Sequence, residues 1–161
     1  MNPTPTATPT AAPTRYLEPD AFTRKVWNPA IRRLTVMGLS IRGSSELRIR
    51  GRKSGEWRSN IVNPLPFDGA EYLVAPRGTT QWVRNLRAAG GGELRVGRRV
   101  DAFTFVEVPD TDKVPVLRAY LTLWKFEVGR FFDGVGPDAT DSEISAIAVG
   151  YPVFRVIRAA S

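Results

Sequence analysis

The sequence predicts an α+β domain: about six short, mostly antiparallel strands closed into a small barrel, with helices in front, between and behind. Three observations predict it. Several short runs alternate apolar and polar residues with a period of two, the mark of a half-buried strand. Tight-turn dipeptides such as Asp68-Gly69 and Gly97-Arg98 join most of these runs, which makes neighbouring strands antiparallel. No strand–helix–strand unit repeats, as a doubly wound parallel sheet would require. A chain of 161 residues supplies one substantial core rather than two.

Residues 1–14 contain mainly Pro, Thr and Ala and read as a flexible or polyproline-like tail; residues 15–161 read as a single domain. From 20 to 39 the spacing of Phe22, Val26, Ile31, Leu34 and Met37 predicts helix. Asn28-Pro29 divides it, because Asn caps and Pro opens a second helix. Trp27 lies at the break. In 46–50, Glu46, Arg48 and Arg50 alternate with Leu47 and Ile49. A turn over 53–56 leads to a partner strand over 57–67, whose Pro64 and Pro66 suggest an edge or bulge. Asp68-Gly69 turns the chain into 71–75, and Pro76-Arg77-Gly78 ends that strand. A short helix follows over 80–89, capped by Thr79 or Thr80 and stopped by Gly90-Gly91-Gly92. Residues 93–97 and 100–108 form a hairpin. A longer helix is capped by Thr111 or Asp112 and runs to about residue 132. A loop over 133–140, a weak helix from Asp141 and a final strand over 151–157 complete the chain.

Composition narrows the chemistry. The sequence has no cysteine and no histidine. Thiolate nucleophiles, disulfides, Ser-His-Asp triads, histidine-held haem and most zinc centres are therefore excluded, and no metal site is expected. For an enzyme with this composition a bound cofactor is the expected source of the reactive group. The net charge is +7, which reads equally as an ordinary soluble basic surface or as a match for a polyanionic partner: nucleic acid, an anionic lipid surface, or a small ligand bearing phosphate or carboxylate. No run reaches the ~18 apolar residues of a membrane span, and the N-terminus lacks a signal-peptide layout. A cytoplasmic location is expected, with peripheral membrane attachment as a variant.

The stretch from Arg50 to Leu86 concentrates the candidates. Gly51-Arg52-Lys53-Ser54-Gly55 combines exposed amides, two cations and a hydroxyl, a cradle for phosphate or carboxylate. It is equally ordinary turn chemistry. Arg58 and Asn60 share strand parity and project to one face, with Ser59 to the other. Arg77-Gly78 lets backbone approach a ligand. Trp82 and Asn85 share a helix face, where they could bracket a flat ring; the alternative places Trp82 and Leu86 in the core.

The order of these pieces, ending in Gln81-Trp82-Val83-Arg84-Asn85-Leu86, resembles the deazaflavin-dependent nitroreductase family, which consists of F420-dependent oxidoreductases. The resemblance runs from about residue 32 to the last strand and is strongest over 50–86. It implies a split β-barrel of the pyridoxamine-phosphate-oxidase-like kind. By resemblance Arg52, Lys53 and Ser54 receive the anionic tail of coenzyme F420. Arg58, Ser59, Asn60 and Ile61 run along the deazaflavin edge. Arg77 and Gly78 donate to phosphate or ring, and Trp82 and Asn85 hold the ligand from the helix. Members often carry Pro where this chain has Ile61. The implied reaction is hydride transfer to a small electron-poor acceptor such as a quinone, nitro compound or enone. Trp27, Trp124 and Phe132 are candidates for the acceptor side, although helical aromatics are more often core. Tyr120 and Tyr151 are conceivable proton donors. Monomer and homodimer are both compatible.

FMN on the same barrel is the alternative cofactor. A nucleic-acid-binding barrel would use Arg48, Arg50, Arg52, Arg58, Arg95, Arg98 and Arg99, but its strands should carry more aromatic platforms than Trp57, Phe103 and Phe105; nucleic acid is not the expected partner. A protein that sequesters F420 without turnover is a further reading.

Overall fold

The computed structural model describes residues 43–159. The predicted helices over 20–39, the tail and Trp27 lie outside the described residues. Seven strands form one antiparallel sheet: β1 Ser45–Arg50, β2 Trp57–Val62, β3 Leu65–Phe67, β4 Ala70–Val74, β5 Gly91–Val96, β6 Arg99–Glu107 and β7 Val153–Arg158. Three α-helices accompany them among the described residues: α1 Gln81–Ala89, α2 Lys113–Val128 and α3 Asp141–Ala148.

The strand order is β2-β1-β5-β6-β7-β4-β3, so β2 and β3, consecutive in the chain, sit at opposite ends of the sheet. Only Asn63 and Pro64 separate them. Three Cα steps from Val62 to Leu65 span at most ~11 Å, whereas the edges of a flat seven-stranded sheet would lie about 29 Å apart. The sheet must therefore curl until its edges nearly meet. It is an incompletely closed barrel.

The same joint explains why there are seven strands and not six. The expected strand over 57–67 breaks at Asn63-Pro64, because Pro64 has no N–H to donate to a ladder. β2 pairs with β1, from Arg50 opposite Trp57 to Ser45 opposite Val62. β3 pairs only with β4, so Pro66 lies on an edge strand, where proline is tolerated. Gly91 and Gly92 are strand residues rather than part of the helix stop. A Cβ on Gly92 would lie 2.7 Å from the Arg48 carbonyl oxygen, and one on Gly91 2.3 Å from that of Phe103. The close approach of β5 to its neighbours demands both glycines.

Two cores flank the sheet. On the inner face Leu47, Ile49, Leu73, Leu94, Phe103 and Phe154 pack against Val83 and Leu86 of α1. On the other face Leu65, Val74 and Val153 pack against α2 and α3 through Leu117, Leu121 and Ile144. At one end of the inner face Arg158 bridges Glu71 and Asp101.

The long helix ends earlier than the sequence predicts. Trp124 departs from helical geometry (φ −116°, ψ 16°), and the chain continues past Val128 as a 3-10 turn, Gly129–Phe131. The next loop is pinned by Arg118, whose guanidinium donates to the carbonyls of Pro137 (2.6 Å) and Ala139 (2.7 Å) and pairs with Asp141 (2.6 Å). Lys113, buried, pairs with Asp110 (2.6 Å) and donates to the Ala148 carbonyl (3.2 Å), which satisfies the C-terminal end of α3.

Helix α3 opens on a full capping box. The Glu143 N–H donates to Thr140 Oγ1 (3.2 Å), and the Thr140 N–H donates to the Glu143 carboxylate (2.7 Å). The backbone hydrogen bond from Thr140, and then its hydroxyl, hold the Glu143 carboxyl below the usual carboxylate range. A carboxyl lowered in the folded state stabilises the fold above its unfolded pKa, and that contribution disappears as pH falls through the folded value. Glu143→Gln should therefore lower stability at neutral pH and leave it nearly unchanged in acid. Urea titrations of both proteins across the acid range measure this, and a difference independent of pH would contradict it.

Candidate functional site

The site begins with the β1–β2 connection. The Gly51 N–H donates to the Glu56 carbonyl and the Gly55 N–H to the Gly51 carbonyl, both at 2.8 Å. Gly55 has φ +70°, a conformation that favours glycine. The turn is also packed tightly from within, since a Cβ on Gly51 would lie 2.8 Å from Ser54 Oγ. Arg52, Lys53 and Ser54 stand exposed at its tip.

Helix α1 faces this turn. Gly90 ends it in a left-handed conformation, its N–H donating to the Leu86 carbonyl. Val83 and Leu86 anchor α1 to the inner core, which leaves Gln81, Trp82 and Asn85 on the side towards the turn. Asn85, only 7% exposed, accepts from the Arg52 backbone N–H (3.2 Å) and from Arg52 Nη1 (2.9 Å). Gln81 Oε1 accepts from the same Nη1 (2.8 Å). The turn is thus fastened to the helix by side-chain amides.

Strand β2 forms the third wall. Its register sets Asn60 opposite Leu47 and Arg58 opposite Ile49, so both project to the inner face, as parity predicts, and Ser59 projects to the other. Among the described strands β2 is an edge and presents unpaired backbone groups. Turn, β2 and α1 together line an open cavity of about 720 Å³.

Eight of the sequence-predicted residues line this cavity: Arg52, Lys53 and Ser54 from the turn, Arg58, Ser59 and Asn60 from β2, Trp82 and Asn85 from α1. Gly51, Trp57 and Gln81 line it too and were not among the predicted site residues. Gln81 carried a readable signal, because it lies one helical turn before Asn85. Trp57 reaches it from the strand, its ring covered by Arg50 (4.1 Å) and Arg48 (4.8 Å).

Other predicted residues lie elsewhere. Ile61 is half-buried opposite Glu46, outside the lining. The Gly78 N–H is engaged by the Ala75 carbonyl (3.0 Å), and Arg77 stacks on Phe131 (4.8 Å); neither lines the cavity. Trp124 and Phe132 are core residues of the layer formed by α2 and α3. Phe132 is fully buried and stacks on Tyr151 at 4.4 Å. The apolar spacing of that segment serves packing among the described residues. Tyr120 and Tyr151 belong to the same core, and the Tyr151 hydroxyl donates to the Phe131 carbonyl.

The cations of this site differ in their partners from the ion-paired arginines of the sheet and helices. Several arginines elsewhere meet carboxylates, among them Arg48 with Glu93, Arg87 with Glu107, Arg118 with Asp141, and Arg158 with Glu71 and Asp101, while Arg50 and Arg95 donate to backbone carbonyls. In the cavity Arg52 is held by neutral amide oxygens, and Lys53 makes no ion pair among the described residues. Arg58 has only a long, exposed contact to Glu56 (3.7 Å). The positive charge is positioned but not compensated. No group of acidic, His or Cys residues suited to a metal ion occurs among the described residues.

With this geometry in place, comparison with known proteins bears on the fold. No family model and no curated protein matches the sequence. Solved structures do. An F420-H2 dependent reductase designated FDR-A is 17% identical with a TM-score of 0.52, over 72% of this chain and 95% of that one. A protein described as a domain-swapped dimer is 17% identical with a TM-score of 0.54, over 80% and 95%. The haem storage protein HutZ from Vibrio cholerae is 10% identical with a TM-score of 0.50, over 83% and 90%. At these identities the likeness is one of fold, the curled antiparallel barrel with flanking helices. Among the described residues no helix is long and apolar enough to cross a membrane.

Proposed function

We propose that the protein is an F420-dependent reductase of the split β-barrel kind, which binds the deazaflavin in the cavity between α1, β2 and the β1–β2 turn. The observation that carries this reading is the uncompensated cationic turn at that cavity: Arg52 held by Asn85 and Gln81, with Lys53 beside it. A cation held in place without a carboxylate partner is suited to an anionic ligand. The likeness in fold to an F420-H2 dependent reductase supports the choice of cofactor.

The residues present fit such a group. A cavity of about 720 Å³ lies in the ~300–1,000 Å³ range of ligand sites. Trp82, half-buried on α1 and lining the cavity, offers an indole face to a flat ring. Arg52 and Lys53 suit a phosphate with a carboxylated tail, and Arg58 extends the positive charge along β2. FMN carries one phosphate and would use fewer of these cations. The bound deazaflavin, when reduced, supplies a hydride to an electron-poor acceptor such as a quinone, nitro compound or enone. The protein's own tasks are to fix the ring, exclude water and balance the tail's charge.

Mixing the protein with reduced F420 and a panel of quinones, nitroaromatics and enones, under exclusion of oxygen, tests this. The expected result is acceptor-dependent return of the oxidised deazaflavin absorbance. Binding of F420 without turnover on any acceptor would instead favour a carrier, and absence of both would refute the reading.

A further inference from the structure

We infer that Gln81 and Asn85 are positioning residues that select which edge of Arg52 meets the ligand and keep its charge uncompensated. The inference rests on the anion-binding reading of the cavity and deepens it. A guanidinium has five N–H donors, two of them on Nη1. Gln81 Oε1 and Asn85 Oδ1 accept from Nη1 at 2.8 and 2.9 Å, which accounts for both. The Nε–H and the Nη2 hydrogens have no acceptor among the described residues. They form the edge that can grip a phosphate or carboxylate through two parallel hydrogen bonds.

Neutral acceptors are essential to this device. A carboxylate at either position would orient Arg52 at least as firmly, but would cancel the charge that attracts the ligand. Asn85 also holds the Arg52 backbone N–H, so the turn and the guanidinium are fixed to α1 by one nearly buried side chain. The ligand class that matches is an oxyanion able to accept two parallel N–H groups.

Near-isosteric substitution tests this, because orientation and charge then respond in opposite senses. In Gln81→Glu the Arg52 contact is retained, and an acid is added to the first turn of α1, where the helix dipole favours it. Thermal stability should hold or rise. Affinity for oxidised F420 and for inorganic pyrophosphate should fall, by about tenfold or more. In Asn85→Asp, at a nearly buried position beyond the first turn, affinity should fall in the same way, without the gain from the helix dipole. The cycle is closed with Arg52→Ala and the double variant Arg52→Ala/Gln81→Glu. If Gln81 acts through Arg52, the second substitution adds little to the first. Fully additive losses would show direct repulsion of the ligand and overturn the inference. So would unchanged affinity in Gln81→Glu and Asn85→Asp, or a wild-type protein that binds neither anion. Pyrophosphate binding with these responses, but without F420 binding, would uphold the inference while removing the cofactor assignment. F420 binding indifferent to Gln81→Glu and Asn85→Asp would do the reverse.

Discussion

Arg52→Ala should weaken F420 binding by about 2 kcal/mol, roughly thirtyfold, since hydrogen bonds from a charged group contribute ~1.5–3 kcal/mol. The fold should tolerate the change. Arg52 is exposed, its backbone N–H still donates to Asn85, and Gln81 at the edge of the site can turn to water. Stability should change by less than about 1 kcal/mol. The remaining affinity should also depend less on salt, because one fewer cation faces the tail. Fluorescence titration of oxidised F420 at two ionic strengths, beside a urea titration, separates the two effects. An affinity equal to wild type would remove Arg52 from the site. An equal loss of stability would make it a structural residue.

Phe154→Ala should have the largest effect on folding, about 3–5 kcal/mol, the usual cost of deleting a buried aromatic. Phe154 is fully buried on β7 and joins the sheet to the helix that bears the site. Its ring contacts Trp82 of α1 (centroids 6.0 Å apart) and Phe105 (5.1 Å), and the Arg87 guanidinium lies 5.9 Å from it. Loss of the ring should free the first turn of α1, so the folded fraction should also bind F420 more weakly. Phe132→Ala supplies the comparison. It opens a hole in the other core, against Tyr120 and Tyr151, and should cost similar stability while leaving affinity per folded molecule unchanged. Urea denaturation with binding measured well below the transition tests both, and a cost below about 1.5 kcal/mol for Phe154→Ala would contradict this packing account.

Which parts of this were legible in the sequence follows from the range of the interactions involved. The β1–β2 hairpin was legible because period-two alternation and a glycine-bounded turn are local signals. Parity alone correctly separated Arg58 and Asn60 from Ser59. The division of 57–67 was half legible: Pro64 and Pro66 marked a disturbance and Asp68-Gly69 the β3–β4 turn, but the switch away from β1 to the far end of the sheet rests on the pairing of β4 with β7, which is long-range and has no local signal. The curl of the sheet depends on that same switch. Gly91 and Gly92 looked like helix punctuation because the carbonyls that exclude a Cβ there come from distant strands. The capping box of α3 is a local signal, Thr140-x-x-Glu143. Trp124 and Phe132 show the opposite limit, since aromatic spacing on a helix does not tell a core from a pocket. At the site, residue types could suggest a cationic cradle. Only the fold could show that Arg52 is held by side-chain amides rather than by a carboxylate.

The most direct measurement is the binding of oxidised F420 to the wild-type protein, followed by fluorescence and co-elution, with FMN in parallel and salt varied. The account predicts binding at micromolar or lower concentration, weaker binding of FMN, and affinity for F420 that declines as salt rises. No binding of F420 at micromolar concentration, or binding indifferent to salt and no tighter than that of FMN, would contradict it.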